Sequence, residues 1–218
     1  MNDTQATSGA GDLSAAGRSD LHTVATHQLQ GLSEADRTAM FRLRYDIFFT
    51  RLGWDVKTCG DQEIDEFDAI ANAHYIVAKS PQDGVSACWR LLPSLGPNML
   101  RDVFPQLLHG LPAPAAADVW ELSRFAIDSA RVSGADNAGN HQIGFGELSV
   151  ALMVEAARFA QANGIARYVT VTTAAIERMM KGLGLHIHRL GAPIRIGSVL
   201  TVACFIEVDE QTLKAIGM

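Results

Sequence analysis

The chain has 218 residues, 48% hydrophobic and 19% charged, a balance that suits one globular domain with its own core. Its three cysteines, Cys59, Cys88 and Cys204, are odd in number, widely spaced and in no C-x-x-C pair, which argues against a disulfide framework or zinc cage and for a reducing cytoplasm. A net charge of -6 opposes nucleic-acid phosphates, and the sequence carries neither a secretory-type leader nor a run of about 20 apolar residues, so no nucleic acid or membrane is expected as partner.

Residues 1–20, rich in Ser, Ala, Gly, Asp and Thr, lack apolar periodicity and are expected to form a disordered tail, with a single domain over residues 21–218. Ser33, followed by Glu34 and Asp36, predicts the N-cap of a helix running to about Thr50 and ended with the help of Gly53. Phe41, Arg44 and Phe48, spaced i, i+3 and i+7, share one stripe of it, so an arginine lies between two aromatics. After an acidic stretch from Asp61 to Asp68, the runs AHYIVAK (73–79) and GVSACWRLLP (84–93) predict a hairpin across the turn signal Pro81-Gln82-Asp83-Gly84. Residues 98–108 read as a short helix disturbed by Pro105, and VWELSRFAI (119–127) as a strand. A Gly/Asn/Ser-rich loop (129–140) leads to a long helix from Glu147 to Ala162, ended by Asn163-Gly164. Then come a strand (167–173), a helix (174–184), strands at 185–190 and 199–208, and a short helix capped by Asp209. Strands alternating with helices predict an α/β chain, an α-β-α sandwich with the sheet covered on both faces.

The charge is uneven. Residues 1–155 carry net -9, whereas residues 156–206 carry net +5, with Arg158, Arg167, Arg178, Lys181, Arg189 and Arg195 against Glu177 alone. Such a region is either a solvated face or a docking surface for an acidic partner. Arg44, Phe48, Trp54, Glu63, Asp65 and Asp68 fall within 25 residues. The acidic groups are either solvated or paired with Arg44 in a buried ion pair. Phe48 and Trp54 are either core or, if they face a pocket, suited to a cationic or purine-bearing ligand at about 0.5–2 kcal/mol per contact. Strand alternation puts Arg90 with Ser86, Cys88 and Leu92, opposite Val85, Ala87, Trp89 and Leu91, where it calls for a carboxylate partner. Glu121 and Arg124 would point to opposite faces of a regular strand, so they are either a surface ion pair or meet in one site through a β-bulge, whose freed N–H could hold an oxyanion. His186 and His188 alternate on a strand, which fits exposure or packing better than metal ligation.

Taken together, Arg44-x3-Phe48-x5-Trp54, Glu63-x-Asp65-x2-Asp68, Arg90-Leu91-Leu92-Pro93 and Trp120-Glu121-Leu122-Ser123-Arg124-Phe125 resemble the acyl-homoserine-lactone synthases, the LuxI-type autoinducer synthases, from about residue 25 onward. The resemblance implies an N-acetyltransferase-like fold with a mixed, mostly antiparallel central sheet. It implies S-adenosylmethionine and an acyl group on acyl carrier protein as substrates, an N-acyl-L-homoserine lactone and 5'-methylthioadenosine as products, and neither metal nor cofactor. Glu121 is then the first candidate for the base that takes the proton of the attacking amine, with Glu63 second. Phe48, Trp54, Asp68, Arg124 and Phe125 would line the S-adenosylmethionine pocket, and Arg44, Asp65 and Arg90 would form the supporting ion pairs. An acyl slot would be built by Val171, Thr172, Thr173, Met179 and Met180, and Arg158, Arg167, Arg178 and Lys181 would receive the carrier protein.

Two other readings compete. A generic N-acetyltransferase using a CoA thioester would need a pyrophosphate loop, which His141-Gln142-Ile143-Gly144-Phe145-Gly146 matches in part. A non-catalytic module sensing an acyl lactone would need a pocket but no base, and the number of charged residues retained argues against it.

Overall fold

A computed structural model describes residues 22–82, 84–128 and 146–218. The expected tail, the Gly/Asn/Ser-rich loop and the partial pyrophosphate motif up to Phe145 lie outside the described residues, as does Asp83 of the hairpin turn.

In chain order the elements are β1 (Thr23–Gln28), α1 (Glu34–Arg44), a π-helical segment (Tyr45–Arg51), the short strands β2 (Thr58–Cys59) and β3 (Gln62–Glu63), and a 3-10 turn (Glu66–Ala69). They are followed by β4 (His74–Ser80), β5 (Gly84–Pro93), α2 (Met99–Asp102), a 3-10 turn (Pro105–Leu108), β6 (Val119–Ile127) and α3 (Glu147–Asn163). The chain ends with β7 (Arg167–Thr173), α4 (Ala174–Gly182), β8 (Ile187–Arg189), β9 (Ile194–Ile196), β10 (Val199–Glu207) and α5 (Glu210–Ala215). Ser33, Thr173 and Asp209 cap their helices as acceptors for Asp36, Ile176 and Thr212 N–H groups. Gly164, at φ 66°, closes α3 in the left-handed region that a side chain would disfavour.

The central sheet runs β1-β4-β5-β6-β7-β10-β8, with β9 on β10. All of its pairs are antiparallel except β6 with β7. One face packs Ile76, Trp89, Leu91, Leu122 and Tyr168 against Leu152 and Ala156 of α3, Met180 of α4 and Ile216. The opposite face carries Tyr75, Val77, Cys88 and Leu92 under Met40, Phe41 and Phe48 of the first helical layer. Leu100 of α2 and Leu107 cover Val119, Val169 and Ala203 farther along that same face. Helices on both sides of a mixed sheet give the expected α-β-α sandwich.

The sequence reading missed β1, β9 and the β2–β3 hairpin, and it ran the first helix unbroken. The chain instead widens into π turns after Arg44, with Leu52 N–H reaching the Ile47 carbonyl, before Gly53 at φ 63°. His186, which had no expected partner, places Nδ1 2.5 Å from the Asp209 carboxylate and stacks edge-on against His188.

Candidate active site

Four local features converge on the face under α1. First, the helix stripe buries Arg44 and Phe48 against the sheet. Second, Asp65 and Asp68 form a capping box: Asp65 Oδ1 accepts from Phe67 N–H and Asp68 Oδ2 from Asp65 N–H. The x2 spacing is therefore a local backbone requirement that also aims both carboxylates inward. Third, β5 alternation directs Arg90 to this face, next to Tyr75 of β4 in the antiparallel register. Fourth, β6 bulges. Arg90 faces Ser123 and Cys88 faces Ala126, so Arg124 and Phe125 together oppose Trp89. Arg124 sits at φ 57°, and this twist brings its guanidinium to the α1 side, where plain alternation would have sent it to the α3 side.

The resulting network is closed. Arg44 donates from Nε to Glu63 at 2.5 Å and from Nη1 and Nη2 to the two oxygens of Asp68 at 2.8 and 2.9 Å. Arg90 holds both Asp65 oxygens, at 2.5 and 3.1 Å, and also reaches Asp68 at 2.9 Å. Arg124 bonds Glu63 at 3.0 Å and Asp65 at 2.9 Å. Tyr75 Oη donates to Asp68 at 2.8 Å, and Arg90 Nε to Ser123 Oγ at 3.2 Å. Three guanidiniums thus balance three carboxylates, all of them buried except Arg124, whose side chain is 10% exposed. Burial works against the Asp68 charge, but Arg44 and Arg90 outweigh it and hold this carboxyl far below the usual carboxylate range. Glu63, Asp65 and Asp68 are accordingly interior and the solvated reading of them is overturned, while Asp61 and Glu66 of the same stretch are exposed, as that reading had it.

Arg124 is the member of the network that reaches the edge. Its guanidinium lies 5.5 Å from the centroid of Phe48, which stacks at 5.2 Å on Trp54, a ring 41% exposed. Phe48, Trp54 and Arg124 therefore stand together as one aromatic and cationic rim. Asp68 departs from the expectation of lining a pocket: it accepts five hydrogen bonds and stands at the centre of the network.

Glu121 is on the same face, one turn of chain away. Its oxygens accept the N–H groups of Met99 at 3.0 Å and Leu100 at 2.7 Å. Met99 Sδ in turn lies 3.2 Å from Arg124 Nη1. Burial pushes the Glu121 carboxyl up, against the lowering effect of those two N–H bonds. The expected bulge therefore does put Glu121 and Arg124 on one side of the sheet, although they meet through Met99 and the surface-ion-pair alternative is overturned. Tyr75, Ser123 and Met99 were missed. The register of Tyr75 with Arg90 across the predicted hairpin was the available signal for the first.

Beyond Leu122 and Thr170 the parallel strands β6 and β7 stop pairing, and Ser123–Ile127 has no strand neighbour on that side among the described residues. Beside this parting, on the α3 face, Trp89, Leu122, Met153, Tyr168, Met180 and Ile216 close round a small apolar cavity of about 30 Å³. Phe125 packs edge-on against Trp89 at 4.9 Å, so it belongs to this face and not to the rim where it was expected. Of the expected slot residues, Met180 lines the cavity. Val171 packs on the opposite face with Val169, because successive strand residues alternate, and Thr173 is consumed as the α4 cap. Thr172 and Met179 are partly exposed nearby.

Of the expected docking residues, Arg158 on α3 and Arg178 on α4 are exposed. Arg167 is paired with Glu207 at 3.4 Å and Lys181 with Glu177 at 2.7 Å, so their charges are in part spent internally. Among the described residues, no group of three or more His, Cys, Asp or Glu side chains is arranged to hold a metal ion, and no helix is long and apolar enough to cross a membrane.

A mixed sheet that parts between parallel strands, covered by helices on both faces, is shared with the solved relatives that follow, and with them it places the chain in the class of acyltransferases of the N-acetyltransferase-like fold. The solved structure of the AHL synthase LasI superposes with a TM-score of 0.77 at 35% identity, covering 90% of this chain and 94% of that one. BjaI, a CoA-dependent acyl-homoserine lactone synthase solved with SAM and isopentyl-CoA, gives a TM-score of 0.76 at 25% identity, covering 89% and 87%. The acyl-homoserine-lactone synthase of Pseudomonas aeruginosa is 38% identical over 178 residues, 81% of this chain and 85% of the relative. The autoinducer synthase family model matches residues 28–216, and the chain belongs to that family, the acyl-homoserine-lactone synthases.

Proposed function

We propose that the chain makes an N-acyl-L-homoserine lactone from S-adenosylmethionine and an acyl group on acyl carrier protein, in the cytoplasm and without metal or cofactor, releasing 5'-methylthioadenosine. The observation that carries this reading is the two-sided arrangement at the β6 bulge. Phe48, Trp54 and Arg124 offer stacking and charge to a nucleoside on one face, and beside the parted strands the other face presents apolar side chains, among them Trp89, Leu122, Met153 and Met180, of the kind an alkyl chain packs against. That BjaI was solved with SAM supports the nucleotide, and the exposed Arg158 and Arg178 support an acidic carrier.

In the first step the neutral α-amine attacks the thioester carbonyl, the C–S bond breaks and the carrier thiolate leaves. The amine proton passes to Glu121, directly or through water, and on to the thiolate. Glu63, Asp65 and Asp68 are each bonded to arginines, whereas Glu121 accepts from neutral N–H groups only and burial raises its proton affinity, which suits it to accept the proton. Backbone N–H groups at the bulge near Ser123–Phe125 would steady the oxyanion, at about 10²–10³ in rate per donor. In the second step the carboxylate attacks Cγ and expels methylthioadenosine as a neutral thioether. This step needs folding of the ligand more than added charge, a positional effect.

Purified protein should be incubated with S-adenosylmethionine and the same acyl chain on carrier protein or on CoA, and lactone and methylthioadenosine measured by mass spectrometry. Equimolar products are expected, with kcat/KM at least about tenfold higher for the carrier thioester. No methylthioadenosine with either donor would remove the synthase reading, and turnover with CoA alone would remove the carrier.

A further inference from the structure

Met99 stands at a junction to which neither step of the reaction assigns a role. It opens α2, behind the Asn98 cap that accepts from Arg101 N–H, and its side chain is buried. Its N–H donates to Glu121 Oε1 at 3.0 Å, while its thioether lies 3.2 Å from Arg124 Nη1. The Leu100 N–H takes the other Glu121 oxygen at 2.7 Å. One residue therefore touches both the carboxylate assigned to proton transfer and the guanidinium at the rim, and each contact comes from a different part of that residue.

We infer that Met99 is a positioning residue for the acyl transfer: its backbone N–H orients Glu121 and tempers its basicity, and its sulfur aims Arg124 at the nucleotide. The inference rests on the roles proposed above for Glu121 and Arg124. The physical basis is direct. A hydrogen bond to a carboxylate favours the charged form, so losing the Met99 N–H must make Glu121 hold its proton to higher pH. Thioether sulfur is a weak but real acceptor, and without it one part-buried Nη1 hydrogen of Arg124 loses its partner on the α2 side. The Glu63 and Asp65 contacts engage Nε and Nη2 and leave Nη1, the nitrogen nearest the sulfur, without a carboxylate.

The two contacts can be removed separately. Met99→Leu keeps the N–H and the bulk but deletes the sulfur. Met99→Pro deletes both, and proline is accepted at the first position of a helix, here after an extended Asn98 at ψ 160°. The reading is kcat and KM for S-adenosylmethionine across pH, with a saturating acyl carrier thioester. For Met99→Leu we expect KM to rise about three- to tenfold with the acid limb of kcat unmoved, and for Met99→Gln, whose amide oxygen replaces the sulfur, a return toward wild type. For Met99→Pro we expect the acid limb to move up by roughly half a unit or more. Asn98→Ala, which loosens the same turn from its cap, should move the limb in the same direction if the proline variant fails to fold. An acid limb that stays at the wild-type position in both Met99→Pro and Asn98→Ala, or an unchanged KM in Met99→Leu, overturns the inference. The underlying reading fails differently: Glu121→Gln with full kcat and intact methylthioadenosine binding would remove Glu121 from the chemistry whatever the Met99 variants do.

Discussion

Asp68 accepts two bonds from Arg44, one each from Arg90 and Tyr75, and one from the Asp65 backbone, while 5% exposed. An amide in its place would turn donors toward donors and leave a buried positive excess. Asp68→Asn should therefore lose about 3–5 kcal/mol of stability, read from urea midpoints at constant m. A loss below about 1 kcal/mol would mean that the network is looser than its geometry. The pH dependence follows from the same residue. Its folded carboxyl is depressed below the unfolded value of about 3.9, so the stabilisation is complete above that value and is lost as pH falls through it toward the depressed one. Wild type should show this acid loss and Asp68→Asn should show much less of it. Trp54 contrasts with Asp68: the residue is 41% exposed and its one ring partner among the described residues is Phe48. Trp54→Ala should change stability by no more than about 1 kcal/mol. It should raise KM for S-adenosylmethionine several-fold, and equal binding of methylthioadenosine by both proteins in calorimetry would count against the rim.

At the scale of elements, the bulge in β6 decides the site. Arg124 at φ 57° carries a backbone cost of about 1–2 kcal/mol that glycine would not. Arg124→Gly should nonetheless melt below wild type, because Glu63 and Asp65 each lose a buried charged partner. A higher melting temperature would show that strain outweighs the ion pairs. The π turns after Arg44 belong to the same scale. The stripe of Phe41, Arg44 and Phe48 could be seen in the spacing, but the change of helical pitch could not, since i→i+5 bonding has no composition of its own. The capping box at Asp65 and Asp68 was legible in principle from its x2 spacing, yet the same residues equally describe an exposed acidic loop. Only Arg44 and Arg90 arriving from 24 and 22 residues away separate the two.

For the molecule as a whole, the acidic N-terminal part and the basic stretch from 156 to 206 give one chain two electrostatic characters. The structure narrows the docking candidates, since Lys181 and Arg167 already face Glu177 and Glu207. Reversing Arg158 and Arg178 to Glu should raise KM for the acyl carrier protein far more than that for S-adenosylmethionine, and more at low salt than at high. Equal changes in both constants would remove the docking claim.

The order of the longer strands and helices, the caps at Ser33 and Asp209 and the face of β5 that carries Arg90 were legible in the sequence alone, whereas β1, β9 and the β2–β3 hairpin were not. Periodicity, capping chemistry and turn residues act over a few positions, and a single chain displays them directly. Tertiary structure decided which side of the sheet Arg124, Phe125 and Val171 occupy, and that Asp68 serves the network while Glu121 is held by α2. A one-residue bulge reverses every facing beyond it, and a buried charge takes whichever partner the fold brings within about 3 Å, a choice made by contacts between distant segments.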